Sequence, residues 1–159
     1  MNTKVALHLE EVKNQRVVDF YANSDEPERD AWSLMKEWVV KNVSDYAMRR
    51  YFGFAKQGHH PNGEDNDQHV YCAQMFLIGN EGTTDTEHMF ENVEISKAQE
   101  GLYLVGDVVL EEKLEDGSID IGGSMKITSQ YMYEQMLATG IYELDMPERC
   151  FLEEHIFSK

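Results

Sequence analysis

Two stretches of helical period dominate this sequence and limit what it can become. The first, residues 28–44, sets Trp32, Met35, Val39 and Val43 near one face, with Leu34 and Trp38 beside them, while Lys36, Glu37 and Lys41 turn away. Asp25-Glu26-Pro27-Glu28 ahead of it is a helix-start signal, combining a cap residue, an early proline and a glutamate three places on. The second, residues 120–139, places Ile121, Met125, Thr128, Met132 and Met136 on one face and ends at Gly140, which suits a left-handed C-terminal cap. Each helix has one apolar stripe, so each needs an apolar surface to lie on.

The runs around the helices supply strands. Residues 4–21, KVALHLEEVKNQRVVDFY, predict one long strand broken by a bend near Asn14-Gln15. Residues 50–56 and 69–78 predict two more, joined by GHHPNGEDNDQ, a polar loop too long for a tight hairpin. Short runs at 90–95 and 102–110 follow, with EEKLEDGSID as a charged connection into the second helix. Tyr142-Glu143-Leu144 is short and extended, and residues 150–157 predict a terminal strand. This order predicts a single α+β domain over residues 1–159: an antiparallel sheet with two helices on one face, built as two pseudo-repeated βαββ halves with room for a cleft between them. A chain of 159 residues buries about two-thirds of its unfolded surface, so neither a metal nor a disulfide is required for stability.

Charge excludes whole classes of partner. Asp and Glu number 30 against 14 Lys and Arg, a net charge of −16. A phosphate backbone is repelled by such a surface, and the nearest approach to a basic run is Met48-Arg49-Arg50. Anionic membranes are disfavoured for the same reason, and the longest uncharged apolar stretch, Val70 to Gly79, is too short to span a bilayer. Cationic small molecules or a basic protein partner are what this charge attracts, although it also serves solubility alone. Cys72 and Cys150 sit apart in apolar runs without metal spacing, which implies reduced thiols. The N-terminal MNTKVALHLEEVKNQ carries no signal-peptide pattern, so the expected location is cytoplasmic.

No phosphate-binding glycine loop, nucleophile elbow or zinc-protease motif occurs, so no cofactor is expected. The loop from His59 to His69 has metal-ligand residue types but no recognised spacing, and it reads as a polar loop rather than a metal site. What remains is a set suited to a lipophilic cation: aromatic faces for area and cation–π attraction, and a desolvated carboxylate for charge. The candidate aromatics are Trp32, Tyr51, Tyr71, Tyr103 and Tyr142, each also suited to plain core packing. The candidate carboxylates are Glu148 and Glu153. On a strand, Phe151, Glu153, His155 and Phe157 share one face and Cys150, Leu152, Glu154 and Ile156 the other, so Glu153 and Glu154 part company.

Several motifs, in order, carry a family resemblance. They are Ala31-Trp32-Ser33-Leu34-Met35 followed by Tyr51-Phe52-Gly53-Phe54; His69-Val70-Tyr71-Cys72 running to Gly79; Phe90 to Ile95 followed by Gly101-Leu102-Tyr103-Leu104-Val105; and Thr139-Gly140-Ile141-Tyr142-Glu143-Leu144. Together these resemble the GyrI-like family, which includes effector-binding domains of bacterial multidrug-responsive transcription regulators. Ser96-Lys97-Ala98-Gln99-Glu100 replaces the family's Pro-Ala turn, and His155-Ile156-Phe157 stands where a Tyr-x-Pro ending is expected. The resemblance implies a module that binds hydrophobic, cationic small molecules, anchored by an acidic residue. Glu153 fits that residue by strand period, and Glu148-Arg149 offers a rival fit. Two alternatives stay open: a hydrolase of small reactive electrophiles using a cleft Glu as general base, and an acidic interaction protein of gyrase-inhibitor type. The charge supports one direct expectation. A gel-shift titration at physiological salt will show no sub-micromolar binding of duplex DNA.

Overall fold

A computed structural model describes residues 6–55, 70–79, 81, 92–108, 110–142 and 152–155. Its elements run β1 (Leu7–Val12), β2 (Arg16–Asn23), α1 (Pro27–Asn42), a single 3-10 turn (Tyr46–Met48), β3 (Tyr51–Ala55), β4 (Val70–Phe76), β5 (Val93–Lys97), β6 (Gly101–Gly106), α2 (Ile121–Thr139) and β7 (Glu153–His155). The chain is α+β, with two long helices among the described residues and antiparallel pairing throughout the named strands. No helix among the described residues is long and apolar enough to cross a membrane.

The strands fall into two sheets, and the chain divides into two compact units. One unit comprises Met1–Val12 with Glu100–Asp145, the other Lys13–Gln99 with Met146–Lys159. The halves therefore do not follow one another along the sequence, because each takes a terminal segment from the far end of the chain. The bend expected near Asn14-Gln15 is the place where this happens. Asn14 adopts a left-handed φ of 53°, which a short polar side chain tolerates, and the chain leaves one sheet for the other there. The expected broken strand is thus β1 and β2.

In the first unit, β1 pairs with β6 from Leu7↔Gly106 to Val12↔Gly101, and α2 lies against β6. Asp120 caps α2 by accepting a hydrogen bond from Gly123 N (2.9 Å), and Gly140 ends it at φ 69°. The second helical stripe is met in part. Thr128 is buried and Met125, Met132 and Met136 are half-buried, but Ile121 is exposed. Its place is taken by Ser124, whose hydroxyl turns back to the Asp120 carbonyl (2.8 Å) within the first turn. The charged connection contains a small hairpin, closed by Leu114 N to Ser118 O (2.9 Å), which charge composition alone conceals.

The second unit holds the apolar core. Its sheet has the order β5-β2-β4-β3-β7. Val18, Phe20 and Ala22 of β2, Tyr51 of β3, Tyr71, Ala73 and Met75 of β4 and Val93 of β5 form one face. Ala31, Met35, Val39 and Val43 at and just beyond α1 cover it, with Trp32, Leu34 and Trp38 packed at the margin as the first stripe predicts. Phe20 meets Trp38 edge-on at 5.5 Å.

The opposite face is also buried at its centre, around Val17, Cys72 and Asp19. Asp19 is only 4% exposed and accepts hydrogen bonds from Gln74 Nε2 (2.8 Å), Ser96 Oγ (2.7 Å) and the Tyr21 hydroxyl (3.2 Å). Burial, with the Asp19 charge beside it, pushes the Tyr21 phenol far above its ordinary value, so it remains a donor. These contacts tie β2 to both neighbouring strands at one level.

The two arginines of the only candidate basic run are both engaged with carboxylates. Arg49, its side chain 4% exposed, reaches Asp45 (2.9 Å), Glu81 (2.7 Å) and the Phe76 carbonyl (3.4 Å). Its guanidinium holds the Glu81 carboxyl below the usual carboxylate range. Arg50 makes a bidentate pair with Glu154 (2.7 and 2.9 Å) and lies over the Phe52 ring at 5.2 Å. The Asp19 network supplies a stability prediction. Asp19→Ala strands its donors and should cost about 2–4 kcal/mol in urea unfolding. Asp19→Asn should cost less, because the Gln74 amide can rotate to present its oxygen.

Candidate functional site

The helix-covered face of the second unit gathers an aromatic and acidic group at its β7 edge. It begins with Gly53, in the middle of β3. A glycine inside a strand often marks a close approach of another group. Here a Cβ would collide with the Tyr71 hydroxyl and stand 2.9 Å from both Tyr71 Cζ and Trp32 Cζ2. The strand offers no side chain at this point, and the two rings fill the space.

Strand register brings the last segment alongside. β7 pairs antiparallel with β3, Tyr51 opposite His155 and Gly53 opposite Glu153. Opposed residues point to the same side, so Glu153 and His155 join the face that holds Trp32 and Tyr71. Glu154, opposite Phe52, goes to the other face and is taken up by Arg50. The alternation expected of this strand is therefore the alternation present.

The group is tight. The His155 ring lies 4.3 Å from Trp32, centroid to centroid, tilted by 46°. His155 Nε2 is 3.7 Å from Glu153 Oε2, with the two side chains 34% and 38% exposed. Tyr71 is 8% exposed, and its hydroxyl has no hydrogen bond of ordinary geometry among the described residues. Burial pushes this phenol well above its usual range, the Glu153 and Glu28 charges push it further, and the Trp32 indole N–H, approaching loosely, works the other way. Tyr71 is a neutral, unspent donor at any physiological pH. Glu28 enters because it stands four residues before Trp32, one turn along the same side of α1.

Of the sequence-derived candidates, Trp32, Tyr71 and Glu153 are brought together. Tyr51 shares their sheet face, but its phenol turns inward to donate to the Tyr46 carbonyl. Tyr103, half-buried on β6, and Tyr142, exposed just beyond α2, belong to the first unit. Glu148 and the loop from His59 to His69 lie outside the described residues. Among the described residues no cluster of His, Cys, Asp and Glu has metal-binding geometry. Sequence reasoning missed Glu28 and the part played by Gly53. The signals available for them were a glutamate one turn ahead of a tryptophan and a glycine inside an aromatic strand.

The arrangement sets an indole, stacked with the His155 ring, beside a half-exposed carboxylate and over a buried phenol that keeps its proton. Comparison of the chain with protein-family models, curated proteins and solved structures finds no match. The site yields one structural prediction. Gly53→Ala displaces the Tyr71 and Trp32 rings and should lower stability by about 1–3 kcal/mol in urea unfolding, with an altered tryptophan emission spectrum.

Proposed function

We propose that the chain is a cytoplasmic binding module for hydrophobic, cationic small molecules, of the GyrI-like effector-binding type, with Trp32, Tyr71 and Glu153 at its centre. The observation that carries this reading is the seating of an indole face, a buried neutral phenol and a carboxylate within one edge of one sheet face. Each supplies a different part of cation recognition. Trp32 offers area and the negative face of its ring, Glu153 offers charge, and Tyr71 offers orientation. The buried free thiol of Cys72 and the strongly acidic composition agree with a reducing compartment and a preference for cations.

The side chain of Glu153 is 38% exposed, so its pairing with a ligand falls between a buried charged hydrogen bond and a surface ion pair. Calorimetry with tetraphenylphosphonium is the direct test. Glu153→Gln should weaken binding by about 1 kcal/mol, roughly fivefold, and leave an uncharged aromatic of similar size unaffected. Glu94→Gln is the control, an exposed carboxylate on β5 at the opposite edge of the same sheet. Equal behaviour of the two variants defeats the assignment. Incubation with reactive electrophiles, monitored for product, tests the hydrolase alternative directly.

A further inference from the structure

α2 carries a second apolar stripe, on the side away from Met125, Thr128, Met132 and Met136. Ile127, Tyr133 and Leu137 are each about half exposed there, with Lys126, Gln130 and Glu134 exposed among them. Helical period puts all six on one face, because they recur at three- and four-residue steps through Gln130. A helix lying on a sheet ordinarily turns a polar side outward, so an apolar stripe on that side marks a contact surface. The unit around it needs one. Its sheet has two strands, a size that is marginal alone, and among its described residues only Ser124 and Thr128 are buried and no apolar side chain is.

The order of residues along the stripe identifies the occupant, because it is symmetric about Gln130. Ile127 and Tyr133 stand three residues before and after it, Lys126 and Glu134 four, and Gly123 and Leu137 seven. Two copies of α2 packed antiparallel about a two-fold axis at Gln130 set each residue opposite the one equally far on the other side. Ile127 then meets Tyr133 of the second copy, and Leu137 lies over Gly123, where no side chain intervenes. Lys126 meets Glu134 of the second copy, and the symmetry makes every contact twice. Gln130 faces its own copy, and an amide carries both the donor and the acceptor such a pairing uses. Within each helix Gln130 Nε2 donates to Glu134 Oε1 (3.1 Å), which keeps that carboxylate on the stripe. A parallel pair would set lysine against lysine and glutamate against glutamate, so charge selects the antiparallel one.

We propose that the outer face of α2 is a self-association surface, through which two copies of the chain pair antiparallel about Gln130. This does not depend on the reading of the Trp32 site. With 30 Asp and Glu against 14 Lys and Arg, the chain repels a second copy over most of its surface, yet α2 carries only Lys126 and Glu134 in 19 residues. The two exposed charge pairs fix direction and register more than strength. One helix face per copy makes a small interface, so the expected dimer is weak, with a Kd on the order of 10 µM.

Sedimentation velocity of the intact chain from about 1 to about 200 µM tests this. It should show monomer and dimer in exchange, and raising salt from about 50 to about 500 mM should tighten the dimer by screening the net repulsion. Leu137→Glu should raise the Kd at least about tenfold, with the circular dichroism spectrum unchanged because the side chain is half exposed. Lys126→Glu and Glu134→Lys should each weaken the dimer about tenfold, and the two together should restore it to within about threefold. That restoration is specific to the antiparallel pairing, since residues eight apart on one helix do not meet. A monomer at every concentration overturns the proposal and leaves the stripe to a different occupant. A dimer that ignores Leu137→Glu, or that loosens with salt, forms elsewhere on the chain and overturns it too. If the single charge reversals weaken the dimer but the double variant does not recover, the pairing about Gln130 is wrong.

Discussion

The second unit is built on α1 lying against β2 and β4, with side chains from both sides filling the space left open at Gly53 of β3. No side chain rises from the middle of β3, so the Tyr71 and Trp32 rings can come down onto the strand backbone. Ala31, the small residue beside Trp32 on the helix, is fully buried. With the helix at this height, Met35 and Val39 reach the face formed by Val18, Phe20, Ala73 and Met75. Burial of these side chains contributes roughly 1.5–3 kcal/mol each for the larger ones. The packing that stabilises the unit therefore also places the aromatic wall of the candidate site.

The site's acidic edge is held by different means. β7 is a strand of only three residues, too short to fix itself. Its register comes from pairing with β3, and the bidentate Arg50–Glu154 contact on the far face secures it. Glu153 and His155 are thus presented to Trp32 by a residue that points away from them. The division of labour is physical: alternate residues of one short strand serve anchorage and recognition.

Polar groups on the second face do related work within the sheet. The Asp19 carboxylate is surrounded by donors from its own strand and from both neighbours. Such a network is directional in a way that apolar burial is not, so it specifies register as well as holding strands together. Arg49 acts similarly outside the sheet, joining the turn before β3 to the segment after β4 through Asp45, Glu81 and the Phe76 carbonyl.

Local features were legible in the order of amino acids. Both helices, their ends at Pro27 and Gly140, the bend at Asn14 and the alternation of Glu153 and Glu154 are consequences of backbone period and of residues that permit or forbid particular dihedrals. Proximity came from the tertiary fold. It sent β1 and β2 to different sheets, turned Tyr51 inward to Tyr46, assigned Tyr103 and Tyr142 to the unit without Trp32, and set Glu28 and His155 beside the candidate site. A period specifies which way a side chain points from its own element and carries nothing about which element stands opposite. That choice belongs to strand pairing between residues some hundred positions apart, as with Phe52 and Glu154, and to the space left over a single glycine.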